Sequence, residues 1–241
     1  MMADDIRDKS SQPKPQVPPE LAVVVRAGVK AGLLVPGAVA LGGTVCSLYA
    51  GHRLSKDIDF VITDLRERFD EVSLALENEP GWTVKKSIPD KVILGKLDGV
   101  EIGYRQLRRT VPLDTVELQT PEGSLSIPTL EELIRVKAFL ACERNYTRDY
   151  FDFAELSSLL PSEQVIAALV QLDEKIGWEH RPFVALEVMK SLAACSPRDK
   201  QTHGFSTFQL LAPRVKSWEA VETKCREIAK DLSLVFLTEE T

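Results

Sequence analysis

The chain has 241 residues, 44% of them hydrophobic and 27% charged, the composition of an ordinary soluble globular protein with one substantial domain or two modest ones. Its net charge of −6 disfavours a broad basic surface that coats nucleic acid, and no apolar run approaches the length of a membrane span. Cys46, Cys142, Cys195 and Cys225 are scattered without CxxC spacing, which argues against a zinc site and fits reduced thiols in a cytoplasmic protein.

Residues 1–18 read as a disordered tail, polar at Asp4, Asp5 and Asp8 and therefore neither a signal peptide nor a basic targeting segment. Pro18-Pro19-Glu20 opens a helix that continues from Leu21 to Leu34, because proline suits a first helical turn and an acid suits its positive end. Pro36-Gly37 ends it. Ala38 to Leu41 is a short buried strand, Thr44 to Ala50 a short helix, and Asp57 to Ile62 a β-branched strand. Leu65 to Glu77 carries Leu65, Phe69, Val72 and Leu76 at helical spacing. Strands follow at Trp82 to Ile88, Val92 to Leu97 and Val100 to Leu107, the last two joined by an Asp98-Gly99 turn, with a further short one at Ser124 to Ile127. After Pro128 the pattern is nearly all helix, at about 130–143, 147–159, 162–175, 182–194 and 214–232, with Thr129 as the first N-cap and Glu131 and Glu132 behind it. The fold class is α+β: a small mixed-sheet domain over 19–128 and a helical domain over 129–241.

Two segments carry chemistry. In Ser55-Lys56-Asp57-Ile58-Asp59-Phe60 the aspartates are two apart on a strand, so both carboxylates point to one face. Charges that close repel, and a divalent cation relieves them; Mg²⁺ typically takes one or two carboxylates plus phosphate oxygens. A dozen residues earlier, Gly42-Gly43-Thr44 joins a strand to a helix, exposing backbone N–H groups at a positive helix end where an anion is favoured. Taken singly, each also reads as plain structure: a strand-to-helix turn and a solvated strand end. Together they are more specific. The order strand, Gly42-Gly43-Thr44, helix, then Arg53, Ser55, Asp57, Asp59 and Phe60 resembles the core motif of the nucleotidyltransferase superfamily typified by DNA polymerase β. The wording is most similar to its AbiEii-type toxin branch.

A second segment resembles that branch's helical motif: Lys137, Ala141, Arg144, and Arg148-Asp149-Tyr150-Phe151-Asp152-Phe153, with Phe153 where leucine is usual. A cationic stripe at helical spacing facing two aspartates suits a polyphosphate, lysine as a point charge and arginine as a fork. A salt-bridged helical hairpin is the plain alternative. The resemblance implies a polymerase-β-like domain whose cleft is completed by the helices. It implies transfer of a nucleoside monophosphate from an NTP such as ATP to an acceptor, with release of pyrophosphate. Asp57 and Asp59 would hold Mg²⁺. Gly42, Gly43 and Thr44, with Ser55, Arg53, Arg144 and Arg148, would hold the nucleotide. Lys137 would offset charge on the leaving group, and Asp149 would orient Lys137 or the acceptor, with Asp152 supporting the helix pair. The superfamily often adds a third carboxylate on a neighbouring strand. Glu101 is the candidate here, and it reads equally well as a solvent-facing glutamate.

Membership in the toxin branch also implies a toxin–antitoxin pair and a tRNA 3′ end as acceptor. Two other readings stay open: a small-molecule nucleotidyltransferase of the antibiotic-modifying kind, and a catalytically silent nucleotide-binding or protein-interaction module. His52 is expected to face solvent, His180 and His203 to be structural or surface residues, and Trp82, Trp178 and Trp218 to pack. Lys85, Lys86, Arg105, Arg108 and Arg109 are read as a local basic patch near the site.

Overall fold

The computed structural model describes residues 13–176 and 183–239; most of the expected tail, with Trp178 and His180, lies outside them. A 3-10 turn at Pro19–Leu21 leads into α1 (Ala22–Leu34), with proline in its first turn as expected. There follow β1 (Val39–Leu41), α2 (Gly42–Ala50), β2 (Asp57–Ile62), α3 (Phe69–Glu77), β3 (Trp82–Ile88), β4 (Val92–Leu97) and β5 (Val100–Gln106). The five strands form one sheet in the order β1-β2-β5-β4-β3, with β2 and β5 parallel and every other pair antiparallel. Asp98 and Gly99 both have positive φ (50° and 87°), the backbone of a tight two-residue hairpin between β4 and β5.

Alternation along β2 separates two functions. Ile58, Phe60 and Ile62 are buried on one face, where α1 covers them. Helix and sheet meet closely there, for a Cβ on Gly28 would lie 2.7 Å from Ile58 Cδ1, and the Tyr104 hydroxyl donates to the Ala31 carbonyl at 2.9 Å. The opposite face carries Asp57, Asp59 and Val61. Across the parallel ladder these align with Glu101, Gly103 and Arg105.

The helix expected from Leu65 begins later, at Phe69. Residues 63–68 form turns instead, in which the Arg66 N–H donates to the Gln106 side chain and Arg68 to the Pro36 carbonyl. A strand absent from the sequence reading, β6 (Thr115–Thr120), pairs with β7 (Gly123–Pro128) as a separate hairpin. Helices α4 (Leu130–Arg144), α5 (Thr147–Ser157), α6 (Ser162–Val170), α7 (Leu172–Lys175), α8 (Val184–Ala194) and α9 (Trp218–Glu239) complete the chain. Thr129 caps α4 through a 3.2 Å bond from the Glu132 N–H, as its spacing predicts. Asn145 ends α4 in the left-handed conformation (φ 52°), so the stripe from Lys137 to Arg148 is split between two helices. One hydrophobic core runs from Leu21 to Leu232 and includes residues of the sheet and of the helices. The helix expected from about 214 begins at Trp218, and 195–217, between the last two helices, is irregular except for a 3-10 turn at Phe205–Thr207. Among the described residues no helix is long and apolar enough to cross a membrane.

Candidate active site

The aspartate face of the sheet forms one wall of a cleft of about 570 Å³. Gly42, Gly43, Arg53, Ser55, Asp57, Asp59, Lys137, Arg144, Arg148 and Asp149 all line it. Of the residues expected to serve catalysis, the nucleotide or the metal, Thr44 and Glu101 do not.

The glycine turn is built for close approach. Leu41 is extended (φ −138°) and Gly42 has φ +90°, which an L side chain rarely adopts. A Cβ on Gly43 would lie 2.4 Å from Arg53 Nη2. No side chain caps α2, so its first N–H groups have no side-chain acceptor. Thr44 is fully buried, and its hydroxyl donates to the Asp57 carbonyl at 2.5 Å. It therefore fastens α2 to β2, and its hydroxyl is committed to that bond rather than presented to the cleft.

Ser55 donates to Asp57 Oδ1 at 2.8 Å and fixes that carboxylate. Asp59 lies 3.6 Å from Arg105 Nε, and a Cβ on Gly103 would come within 2.4 Å of Asp59 Oδ1. Gly103 thus vacates the space that the second aspartate occupies. Withdrawal from water pushes the Asp59 carboxyl up from its ordinary value; Arg105 opposes this, Asp57 adds to it, and Arg144 and Arg148 pull it back down. Glu101 sits beside Asp57 on the ladder and on the same face, but it is exposed and ion-paired with Lys85, the residue at the register shift in β3. Among the described residues no group of three or more His, Cys, Asp or Glu side chains is placed to hold a metal. Two carboxylates on one strand face still match the donor set that Mg²⁺ takes when phosphate oxygens complete its shell.

Behind the cleft lies a buried charge cluster centred on Asp152. Its carboxylate receives Arg53 Nε at 2.7 Å and Nη2 at 2.9 Å, Lys137 Nζ at 2.7 Å, and meets His52 Nε2 at 2.9 Å. Burial alone would raise the Asp152 carboxyl, yet Arg53 and Lys137 hold it well below the usual carboxylate range. Burial likewise opposes charge on Lys137, and Asp152 and Asp149 overcome this, so its ammonium is raised above the ordinary lysine value. Asp149 holds Lys137 Nζ at 3.1 Å through Oδ1, while its buried Oδ2 has no hydrogen-bond partner. His52 is wholly buried, edge-on to Phe151, which corrects the expectation of a solvent-facing histidine. The Asp152 carboxylate requires it there. Cys46 is buried, and burial pushes its thiol up, so it packs rather than reacts.

The basic patch expected near the site is dispersed. Arg105 lines the cleft, Lys85 binds Glu101, and Arg109 is buried against Glu132 at 2.7 Å, in a cluster continuing through Arg135 to Asp114. Trp82 and Trp218 pack as anticipated, the first over Gly95 and beside Tyr104, the second edge-on to Tyr150. His203 is exposed and lines the cleft.

The sequence reading missed the wall supplied by 195–217. Asp199, His203, Thr207 and Phe208 line the cleft from this segment. Antiparallel bonding holds it against the first motif: Leu54 N–H to Gln209 O at 2.8 Å, Leu211 N–H to His52 O at 2.9 Å, and Ala212 N–H to Gly51 O at 3.0 Å. Phe208 stacks on Phe151 and lies 5.7 Å from the Arg53 guanidinium. No periodic signal marks such a segment.

Residues 41–231 match the family described as nucleotidyl transferase AbiEii toxin, type IV TA system. MenT4, a nucleotidyltransferase toxin from Mycobacterium tuberculosis, superposes with a TM-score of 0.59 at 18% identity, covering 88% of this chain and 82% of that one, a likeness of fold. The heme uptake protein MmpL11 of Mycobacterium tuberculosis is 32% identical over 132 residues, which are 53% of this chain and 13% of that protein. The mycolic acid-containing lipids exporter MmpL11 of Mycolicibacterium smegmatis is 29% identical over 126 residues, 51% of this chain and 13% of the exporter. The match thus spans a small part of either relative. The family match extends over most of the chain: the protein belongs to the AbiEii nucleotidyltransferase toxin family.

Proposed function

We propose that this AbiEii-family nucleotidyltransferase uses Mg²⁺ to transfer a nucleoside monophosphate from an NTP to a hydroxyl of an RNA acceptor, a tRNA 3′ end, in the cytoplasm and under the control of a cognate antitoxin. The observation that carries the reading is one cleft with opposed walls. Asp57, Asp59 and the uncapped end of α2 stand on one side, and Lys137, Arg144 and Arg148 on the other. The first wall suits a cation with its phosphates, and the second suits the charge on a triphosphate.

The acceptor hydroxyl oxygen forms a bond to the α-phosphorus, the bond from that phosphorus to the bridging oxygen breaks, and pyrophosphate leaves with the electron pair. Asp57, fixed by Ser55, and Asp59, given room by Gly103, are the residues that would hold Mg²⁺. When bound, the ion supplies Lewis-acid stabilisation of the phosphate oxygens and eases ionisation of the hydroxyl. The α2 N–H groups hold phosphate oxygens at Gly42 and Gly43. Lys137 lies between Asp149 and Asp152, stays protonated, and offsets charge as it develops on the leaving pyrophosphate. Asp149, whose carboxylate is buried, orients Lys137 through Oδ1, and the acceptor's hydroxyl proton passes to water as its oxygen bonds to phosphorus. Glu101, the candidate third carboxylate, is beside Asp57 on the ladder but is held by Lys85 outside the cleft lining, so the ion would rest on the two aspartates. Residues 19–128 supply the aspartate wall and 129–241 the cationic one.

A small-molecule acceptor would call for an acidic pocket, whereas the cationic wall here favours a phosphodiester. The test is incubation with each labelled NTP, Mg²⁺ and total tRNA, beside a double Asp57→Ala, Asp59→Ala variant. Label passes to RNA, and the variant abolishes the transfer. No transfer to RNA with any NTP overturns the acceptor, and equal activity in the variant overturns the metal site.

A further inference from the structure

The catalytic reading leaves Tyr146 and Arg198, which gather with Arg148 at the cleft, unused. Tyr146 lies in the turn between α4 and α5, lines the cleft, and its ring carries two guanidinium groups. Arg198 Cζ is 4.5 Å and Arg148 Cζ 5.6 Å from the ring centroid. The segment that brings Arg198 there is firmly attached. The Arg198 N–H donates to Asn145 O at 2.9 Å, and Asn145 Nδ2 donates to Ser196 O at 3.0 Å. The N–H and hydroxyl of Thr147 both donate to Asp199 Oδ1 at 2.8 Å, so Asp199 caps α5 from another part of the chain. Neither arginine makes an ion pair among the described residues. An aromatic face and a backbone anchor hold them in place of a carboxylate, and their N–H forks remain available to an anion.

We propose that Tyr146, Arg148 and Arg198 form the acceptor subsite, which takes the terminal base and phosphodiester of a single-stranded RNA 3′ end. This rests on the nucleotidyl-transfer reading above and deepens it. Aromatic rings and guanidinium planes that stack bases, with uncommitted donors for phosphate, are the means by which proteins hold single strands. Position supports the assignment. Tyr146 and Arg148 line the same cleft as Asp57 and Asp59, so the cluster adjoins the reacting centre, and Arg198 joins it through the Tyr146 ring. A cleft of about 570 Å³ is of small-ligand size, so a polynucleotide enters as a frayed end and not as a duplex.

The test measures binding of a short fluorescein-labelled single-stranded RNA by anisotropy, and of a fluorescent NTP analogue with Mg²⁺, on the full chain. Arg198→Gln and Tyr146→Ala weaken RNA binding by roughly tenfold, the loss expected for one stacked base, and leave the NTP analogue unaffected. Tyr146→Phe keeps the ring and retains RNA binding. Arg198 is exposed, so its variant folds whatever becomes of Tyr146→Ala. RNA affinity unchanged by Arg198→Gln, or loss of NTP affinity alone, overturns the subsite. A wild type that binds the NTP analogue and no RNA also overturns it while leaving nucleotidyl transfer standing. Binding of neither ligand overturns the reading of the cleft on which it rests.

Discussion

Asp152→Asn removes one charge from a buried cluster in which three side chains depend on it. Arg53, Lys137 and His52 all lie within 2.9 Å of its oxygens, and the Asp152 side chain is fully buried. With the carboxylate gone, two buried cations face each other without their shared counter-ion. Breaking a buried pair in this way costs about 3–5 kcal/mol, a large share of the roughly 5–15 kcal/mol that stabilises a domain. Asparagine keeps one acceptor oxygen, so the lower end is expected, about 3 kcal/mol. Urea unfolding of the variant against the wild type at neutral pH measures it. A loss under about 1 kcal/mol, the scale of an exposed ion pair, would refute the reasoning. The pH dependence is a second check. A carboxyl held below its unfolded value of about 3.9 contributes stability that is fully present above that pH and is lost as pH falls through the folded value. The gap between wild type and variant is therefore flat between about pH 5 and 8 and closes only in stronger acid. Adding Arg53→Met to Asp152→Asn costs less than the sum of the two changes, because they share one interaction.

Gly43→Ala places a Cβ 2.4 Å from Arg53 Nη2, and Asp152 clamps that guanidinium. The expected results are a loss of about 1–3 kcal/mol in unfolding and a nucleotide affinity reduced tenfold or more; a variant that binds NTP normally would show that the turn is not the phosphate site. Gly103→Ala crowds the ends of two side chains, Asp59 and Leu94, and no backbone, so its melting temperature stays near wild type while the Mg²⁺ concentration needed for half-maximal transfer rises. Thr44→Val deletes the hydroxyl bond to Asp57 O and costs about 1–2 kcal/mol in urea unfolding, and a neutral result would place the α2 to β2 tie elsewhere. Because Lys137 is raised above the ordinary lysine value of about 10.4, its charge is intact below that pH and lost only as pH rises through a still higher one. The kcat profile accordingly shows no basic limb from Lys137 between pH 7 and 10, and a Lys137-dependent fall there would contradict its pairing with Asp152.

The elements around the aspartates were legible because they are local. β2 runs from Asp57 to Ile62 as its β-branched pattern indicates, and β3 and β4 have their expected ends. Ten of the candidate site residues line one cleft, since two short motifs carry most of what the site needs in sequence order. What escaped is long-range. Asp152 looked like helix support, and only folding brings it to His52 and Arg53, about a hundred residues earlier. The sequence assigns Thr44 to the nucleotide as part of the Gly-Gly-Thr turn, and its hydroxyl is taken instead by the Asp57 carbonyl. The wall at Asp199 to Phe208 has neither helical nor strand period, and its place is set by backbone bonds to Gly51, His52 and Leu54. Strand β6 is mostly exposed and alternates weakly, so its pairing with β7 marks it better than its own composition does.

The central claim is that this cleft moves the α-phosphoryl end of a nucleotide and releases the rest. Parallel reactions with NTP labelled at the α-phosphate and at the γ-phosphate test it most directly, with Mg²⁺, tRNA and either the wild type or the Asp57→Ala, Asp59→Ala variant. The account predicts that α-label becomes attached to RNA, that γ-label is recovered wholly as pyrophosphate, and that the variant does neither. Attachment of γ-label, or α-label transfer that survives in the folded variant, would contradict it.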